Sequence, residues 1–417
     1  MLCYYFPPLG MGGAQRPAKF AKYLPHHGWR PTVLTVRPVS YWARDDTLAE
    51  ELADIDIVRT ESLDPQRLLA RLGSVRAPRT GAAQLNRGVL SWFLQPDSKI
   101  LWWPHAVSTV NALAADRCYD ALYTTSPPHS VHLLGKHLAA GTGLPWLADF
   151  RDRWAGGVVV HEPTRLHRRF NRFLQRRVAN AADRIICTTP SLQRDLRDAG
   201  GRPVDLIPNG FDPGDYPVPS RERLHPDRFV FCHCGSITRF SSPEPLLSAL
   251  VRLRERDAAL LQRMVFHFVG EDTTRQFGDL VRAAGLGECV LHLGYRPHRS
   301  ALQFLVDADA LILIARGRPG DGFVPGKSYE YIGARKPILL LSQVNDTVDL
   351  LRSHPQVWCQ DPDDIEGIAS ALLTMLRQPG RKSLSMNNTT ARFDRRVQTG
   401  HLAQILDEIT KQPKEAD

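Results

Sequence analysis

Short apolar runs alternate with helix-length segments along the whole chain. In the first half the runs are Leu2–Phe6, Thr32–Val36, Asp56–Val58, Ala121–Thr125, Pro145–Phe150 and Arg184–Thr188. In the second half they are Phe229–Cys234, Val265–Val269, Val290–Leu293, Ala310–Ile314 and Pro337–Leu341. Several are rich in Val, Ile, Tyr or Phe and end in Gly, Pro, Ser or Asp, as strands feeding turns do. Near-continuous apolar strands separated by helices predict parallel sheets covered on both faces. Two consecutive sets predict two doubly wound α/β domains. Pro208, Asn209, Gly210, Pro213, Gly214, Pro217 and Pro219 put the boundary within Ile207–Pro219, giving domains over 1–210 and 211–395. The remainder, 396–417, carries Val397, Leu402, Ile405 and Ile409 at helical spacing, which predicts a helix packing back across the domains. The first run begins almost at Met1, so either the first strand is short or the natural start lies upstream.

A chain of 417 residues exceeds what one hydrophobic core serves, in keeping with two domains. The seven cysteines are odd in number and scattered, which suits free thiols in a reducing compartment. With no apolar run of about 18 residues and no basic-then-apolar leader, the expectation is a cytoplasmic protein. The formal net charge of +9 favours anionic partners without choosing among nucleotide phosphate, anionic lipid and nucleic acid.

Ligands of open parallel sheets bind beyond the carboxyl ends of the strands, so the chemistry is sought in the loops there. Between Ala310–Ile314 and Pro337–Leu341 lies a loop with Gly320, Gly322 and Gly326, followed by a helix beginning near Gly326–Lys327. Glycines admit a close backbone approach, and the helix N-terminus favours a diphosphate. Lys327 adds a charge, and Glu330, one turn on, is placed to accept the hydroxyls of a ribose. The competing reading is a solvated helix face after an ordinary turn. After Phe229–Cys234 come Gly235, Ser236 and Arg239, and the Arg239 guanidinium suits a phosphate.

In the first half, Gly10, Gly12 and Gly13 precede a helix opening around Arg16 and Pro17. The spacing is not that of a dinucleotide site, and a simple tight turn is the plainer alternative. His129 follows Pro127–Pro128 at a strand end, where an imidazole meets either a sugar hydroxyl or only the core. Asp149, Arg151 and Asp152 end the run Pro145–Phe150; they either contact substrate or bridge one another.

Taken in order, these stretches resemble the retaining glycosyltransferases of family 4. Phe6–Arg16 (FPPLGMGGAQR) is similar to that family's glycine-rich first loop, and Ser126–Ser130 (SPPHS) and Leu147–Trp154 (LADFRDRW) to its N-domain cleft loops. Ile207–Asp212 (IPNGFD) resembles the linking segment, Gly294–Leu302 (GYRPHRSAL) the loop that meets the nucleobase, and Ala308–Ser342 the donor-binding block. The resemblance implies a GT-B fold, two Rossmann-like domains facing a cleft, and transfer of a sugar with retained configuration. It implies a nucleotide-sugar donor held by Arg239, Tyr295, Arg296, Gly326, Lys327 and Glu330, with Gly12 and Gly13 lining the cleft. His129, Asp149 and Arg151 become the candidate catalytic contacts. The acceptor is expected to be a glycan or lipid-linked molecule in polysaccharide or glycolipid synthesis. No separate cofactor is expected beyond the nucleoside-diphosphate sugar as co-substrate. Two departures stand out: the family's first glutamate falls on Gly322, beside Asp321, and Ser236 stands where an arginine is common. A non-catalytic scaffold and a nucleotide-sugar epimerase are therefore the alternatives.

No metal site is expected. In Cys232-His233-Cys234 neighbouring strand residues point to opposite faces, and the Asp54–Asp56 and Asp307–Asp309 pairs lie at the wrong strand edge. Thr164–Ala181 combines an apolar face (Leu166, Phe170, Phe173, Leu174, Val178) with Arg165, Arg168, Arg169, Arg172, Arg176 and Arg177. Either the apolar face packs on the sheet with arginines in solvent, or the basic face meets anionic lipid at the inner face of a membrane. Nothing accompanies the charge that would mark a nucleic-acid module.

Overall fold

The computed structural model describes residues 1–10, 12–38, 44–65, 67, 90–157, 160–222, 224–238, 241–316, 324–343, 345–352, 354–377 and 388–411. The chain forms two compact units, one of Met1–Asn209 with Arg395–Asp417, the other of Gly210–Asp394.

In the first unit the strands are β1 (Thr32–Val36), β2 (Asp56–Thr60), β3 (Leu122–Ser126), β4 (Trp146–Phe150), β5 (Arg184–Cys187) and β6 (Val204–Leu206). Its helices are α1 (Gly12–Tyr23), α2 (Asp46–Glu50), α3 (Leu90–Phe93), α4 (Trp103–Asp116), α5 (Ser130–Thr142), α6 (Arg165–Ala181) and α7 (Pro190–Ala199). All pairings are parallel: β1 with β2, and β3-β4-β5-β6 in order. The run expected over Leu2–Phe6 contributes only Leu2 to the sheet, which bridges Leu34 of β1 on one side and Thr124 of β3 on the other. Two cis peptide bonds involving Pro7-Pro8 and Pro127-Pro128 lie in the loops that follow.

Successive residues of each strand face opposite sides, and both sides are buried. Trp146, Ala148 and Phe150 pack with Leu34, Val131, Leu134 and Ile185, while Tyr123, Leu147 and Ile186 pack with Val33, Ala18 and Phe20. This two-sided covering is why the strands read as unbroken apolar runs.

The second unit holds β7 (Phe229–Cys234), β8 (Met264–Val269), β9 (Val290–Gly294), β10 (Ala310–Ile314), β11 (Ile338–Leu341) and β12 (Val357–Gln360). They form one parallel sheet in the order β12-β11-β10-β7-β8-β9. Helices α8 (Glu244–Arg256), α9 (Ala258–Gln262), α10 (Phe277–Ala283), α11 (His298–Asp307), α12 (Lys327–Ala334), α13 (Asp346–Leu351), α14 (Ile365–Arg377) and α15 (Asn388–Ala391) accompany it. Phe231, Phe266, Ile312 and Leu339 point to the face covered by α8 and α14, and Cys232, Val265, Leu313 and Leu340 to the other. The last helix, α16 (Arg395–Lys411), belongs to the first unit. Its Leu402, Ile405, Leu406 and Ile409 join the α1 side of that core, and Trp29 Nε1 donates to Asp407 at 3.0 Å.

Candidate functional site

The second unit gathers polar side chains where β7, β10 and α12 meet. In β7, His233 points away from Cys232 and Cys234, so the three converge on no metal, and no metal-type cluster among the described residues includes them. The Nδ1 of His233 lies 2.9 Å from the carbonyl of Ile312, which accepts only if Nδ1 carries the proton. That fixes Nε2 as a lone pair, and the Lys327 ammonium donates to it at 3.2 Å. Gly235, at φ +139°, carries the strand end over this lysine, and a Cβ there would stand 2.9 Å from Lys327 Cδ. Gly270, at φ +148°, fits still more closely against the Gly235 carbonyl. The glycines after β7 and β8 are therefore needed for close approach.

Burial at this point pushes the Lys327 pKa down to about 8, against the opposing pull of Cys234 and Glu330. His233 is held well below its ordinary value, by burial first and by the Lys327 charge second. The tyrosine one turn on, Tyr331, accepts from the Cys234 N–H at 2.7 Å and donates to the Ile312 carbonyl at 3.2 Å, which locks α12 to β7 and β10.

Glu330 sits in the first turn of α12, at the positive end of the helix dipole. Its carboxylate meets His298 Nε2 at 3.0 Å, and its carbonyl accepts from Tyr216 Oη at 2.7 Å. Because His298 opens α11 directly after the loop of Tyr295 (half-buried) and Arg296 (exposed), that loop and Glu330 come to one side of the sheet. Among the described residues no side chain caps α12, and a Cβ on Gly326 would meet nothing within 4 Å. Arg239, Gly320, Asp321 and Gly322 lie outside the described residues.

At the carboxyl ends of β3 and β4 the first unit holds a second polar cluster. The Asp149 side chain is wholly buried, and Arg16 grips it with two bonds, Nε to Oδ2 at 2.9 Å and Nη2 to Oδ1 at 3.0 Å. Tyr123 (2.6 Å) and Thr125 (3.0 Å) donate to Oδ2 as well. Arg151 donates through Nε to the Ser126 carbonyl at 2.7 Å, through Nη2 to Pro127 at 2.9 Å, and through Nη1 to the carbonyl of Gly13. The helix α1 starts at Gly12, earlier than its expected opening near Arg16 and Pro17, so Pro17 lies inside it. Lacking an N–H, Pro17 leaves the carbonyl four residues back unclaimed, and that carbonyl is the one on Gly13 that Arg151 takes. Gly12 and Gly13 thus form the first turn of a helix rather than a loop.

These contacts give Asp149 and Arg151 partners within the first unit. Both are buried, and their hydrogen-bonding groups are spent inside the unit, tying the glycine segment to the loop after β3. Asp149 pairs with Arg16, 133 residues away in the chain, and not with Arg151.

His129 differs. Its side chain is buried and stacks on Trp154 at 5.0 Å and 11°, and among the described residues no well-formed hydrogen bond reaches either ring nitrogen. Burial pushes its pKa well below the ordinary value, with His132 and Arg151 adding to the effect and the Arg153 main chain opposing it weakly. Ser126 Oγ and His132 Nε2, close in sequence, are also buried with no partner among the described residues.

Two open, fully parallel sheets covered on both faces, with polar groups collected at their carboxyl ends, make an α/β fold of the GT-B type. Residues 11–210 match the family model described as a glycosyl transferase 4-like domain. Among solved structures, a sucrose-phosphate synthase from Thermosynechococcus elongatus aligns with a TM-score of 0.68 at 16% identity, covering 98% of this chain and 97% of that one. A glycosyltransferase from Rickettsia africae aligns at 0.63 and 15% identity, covering 99% and 98%. WaaG, a glycosyltransferase involved in lipopolysaccharide biosynthesis, aligns at 0.58 and 13%, covering 98% and 97%. At such identities the likeness speaks for the fold. No curated protein matches the chain by sequence.

Proposed function

We propose that this protein transfers a sugar from a nucleoside-diphosphate sugar to a glycan or lipid-linked acceptor, with retention of configuration. The observation that carries the reading is the arrangement around α12. Lys327 is seated under Gly235 against His233, and Glu330 is held by His298 one turn along an uncapped helix start. In this reading the diphosphate lies over Gly326 at the helix N-terminus, within reach of Lys327, and Arg239 is proposed on its sequence alone as a second phosphate ligand. Glu330 receives the ribose hydroxyls, and the Tyr295–Arg296 loop borders the base. The positive charge and helix dipole stabilise the departing diphosphate, which supplies the main catalytic effect without a general-base dyad. The first unit would take the acceptor, with His129 as the group nearest to a catalytic role. Asp149 and Arg151 enter as the frame around the loop that His129 follows, not as sugar contacts.

A thermal-shift screen of UDP-, GDP-, TDP- and ADP-sugars against the parent and Glu330→Ala tests the donor assignment. One nucleotide class is expected to raise the parent's melting temperature and leave the variant unmoved, since a ligand of the native state stabilises it by mass action. Silence from every nucleotide at saturating concentration would end the assignment. Consumption of the donor with no acceptor present would favour an epimerase.

A further inference from the structure

His129, which follows β3, is held by residues far from it in sequence. Its ring stacks on Trp154, whose wholly buried indole has one polar atom to place, Nε1. That N–H donates to Asn171 Oδ1 at 3.1 Å, and Asn171 Nδ2 donates in turn to Gln95 Oε1 at 2.8 Å. Asn171 is available because α6 turns Asn171, Gln175, Val178 and Ala179 inward and leaves Leu166, Phe170 and Phe173 exposed. Hydropathy points to the opposite face; a buried amide is tolerated there because both of its ends are paired. Gln175 ties the same segment a second time, accepting from the Ala155 N–H at 3.2 Å. The far end of the relay is anchored too, since Gln95 Nε2 donates to the His161 carbonyl at 3.3 Å.

Two residues on from Gln95, Asp97 reaches the backbone beside the same histidine. Helix α5 begins at Ser130, and His129, in its cap position, makes no side-chain capping bond. Asp97 supplies what the local sequence lacks: Oδ2 accepts from the Ser130 N–H at 3.1 Å, and Oδ1 from Ser130 Oγ at 2.7 Å. A carboxylate there also faces the positive end of the helix dipole. Asp97 is itself fixed, because Oδ1 accepts from the Lys99 N–H at 3.0 Å and so caps the short 3-10 turn Ser98–Trp102. Packing alone requires neither arm. An apolar residue at 171 would fill the space beside Trp154, and a helix start is ordinarily capped from its own sequence. Polar groups brought inward from separate segments cost desolvation and, once fully paired, specify orientation.

We infer that Gln95 and Asp97 form a positioning clamp for His129, Gln95 setting the plane of the imidazole through Asn171 and Trp154, and Asp97 fixing the chain at Ser130. Its bearing on sugar transfer rests on the role proposed for His129, whereas the ring itself can be observed directly, in the full chain with no ligand.

Nuclear magnetic resonance of histidine-labelled protein, titrated over about pH 5 to 8, tests the clamp, with His129→Gln assigning the ring. Gln95→Met and Asp97→Ala break one arm each, while Gln95→Glu and Asp97→Asn keep an accepting oxygen. Asp97→Ala and Asp97→Asn remove the same charge, so a difference between them belongs to the hydrogen bonds. In the parent the His129 signal should stay flat, because burial holds its pKa well below 6.5. In Gln95→Met and Asp97→Ala it should titrate inside the range, its midpoint raised by about one pH unit or more as water reaches the ring. The conservative variants should lie closer to the parent. His132, held by Thr124 at 2.8 Å and by the Phe150 ring at 4.2 Å, is the internal control and should not move. Should Asp97→Ala fail to fold, Gln95→Met, which conserves side-chain volume, decides the matter. A His129 signal as flat in the variants as in the parent overturns the clamp. So does equal movement of His129 and His132, which is general loosening, and so does a parent ring that already titrates near 6.5. Whether His129→Gln loses sugar transfer is measured separately, and activity retained there would remove the proposed role while leaving the clamp standing.

Discussion

The lysine of α12 illustrates how one residue ties stability to binding. With a pKa of about 8, Lys327 is roughly nine-tenths protonated at neutral pH, so the site carries its charge there. Folding penalises that charge. Between about 8 and the ordinary 10.5 the unfolded chain therefore holds more protons, and the stability owed to this group rises with pH across that window. Diphosphate binding runs the other way, because it needs the ammonium, so nucleotide affinity is predicted to weaken as pH climbs through 8. The neighbouring imidazole should matter as a positioning residue. His233→Phe removes the acceptor and is expected to weaken nucleotide binding about tenfold, the value of one hydrogen bond to a charged donor at ~1.5 kcal/mol. His233→Gln keeps an oxygen that can accept, and should recover part of the loss. Calorimetric titration of the three proteins across pH 7 to about 9 checks both statements. Equal affinity in His233→Phe and the parent would make the contact incidental.

Helices and strands show which parts of the architecture were legible from sequence. The central strands were, because burial on both faces leaves only apolar residues to place there. Edge strands β6 and β12 were not: each pairs on one side only, and residues such as Leu206 and Cys359 remain exposed, so their pattern resembles loop. The period of α6 was plain, but its packing face was hidden, since hydropathy cannot anticipate that Asn171 and Gln175 find buried partners. In the site, the Gly-Lys…Glu spacing marked Lys327 and Glu330. Their partners His233 and His298 come from strands and helices far along the chain, and no local spacing announces them. The Arg16–Asp149 pair is the same case. Helix α5 adds a consequence that sequence could not give. Burial drives His129 well below its ordinary pKa and His132 to about 3, so both are neutral in the fold. Below the ordinary value of 6.5 the unfolded chain takes up protons that the fold refuses. Stability is predicted to drain away as pH falls from about 6.5 toward 3, each histidine contributing about 1.4 kcal/mol per pH unit. Urea titrations followed by circular dichroism at successive pH values should show this slope, and His132→Gln should flatten it by one proton's worth. A slope that His132→Gln leaves unchanged would mean the ring is protonated in the fold.

At the scale of the molecule, the two units differ in what they leave available. The first unit satisfies its charged network internally: Arg16, Tyr123 and Thr125 saturate Asp149, and Arg151 is spent on three carbonyls. Among the described residues the second keeps an uncapped helix start, a lysine seated beside it, and a partly buried carboxylate with a histidine partner. A nucleotide that binds as proposed therefore contacts groups drawn from β7, the β9–α11 loop and α12, three separated stretches of one unit. Hydrogen exchange on the full chain with and without a stabilising nucleotide-sugar resolves this directly, because exchange reports local opening segment by segment. Added protection is expected in peptides covering 233–236, 294–298 and 326–331 together, since they share one ligand. The ends of β3 and β4 should exchange as before until an acceptor is present. Protection that rises at 10–16 and 126–130 while 326–331 is unmoved would transfer the nucleotide to the first unit. The unpaired His129 and Ser126 would then be its first polar partners to test.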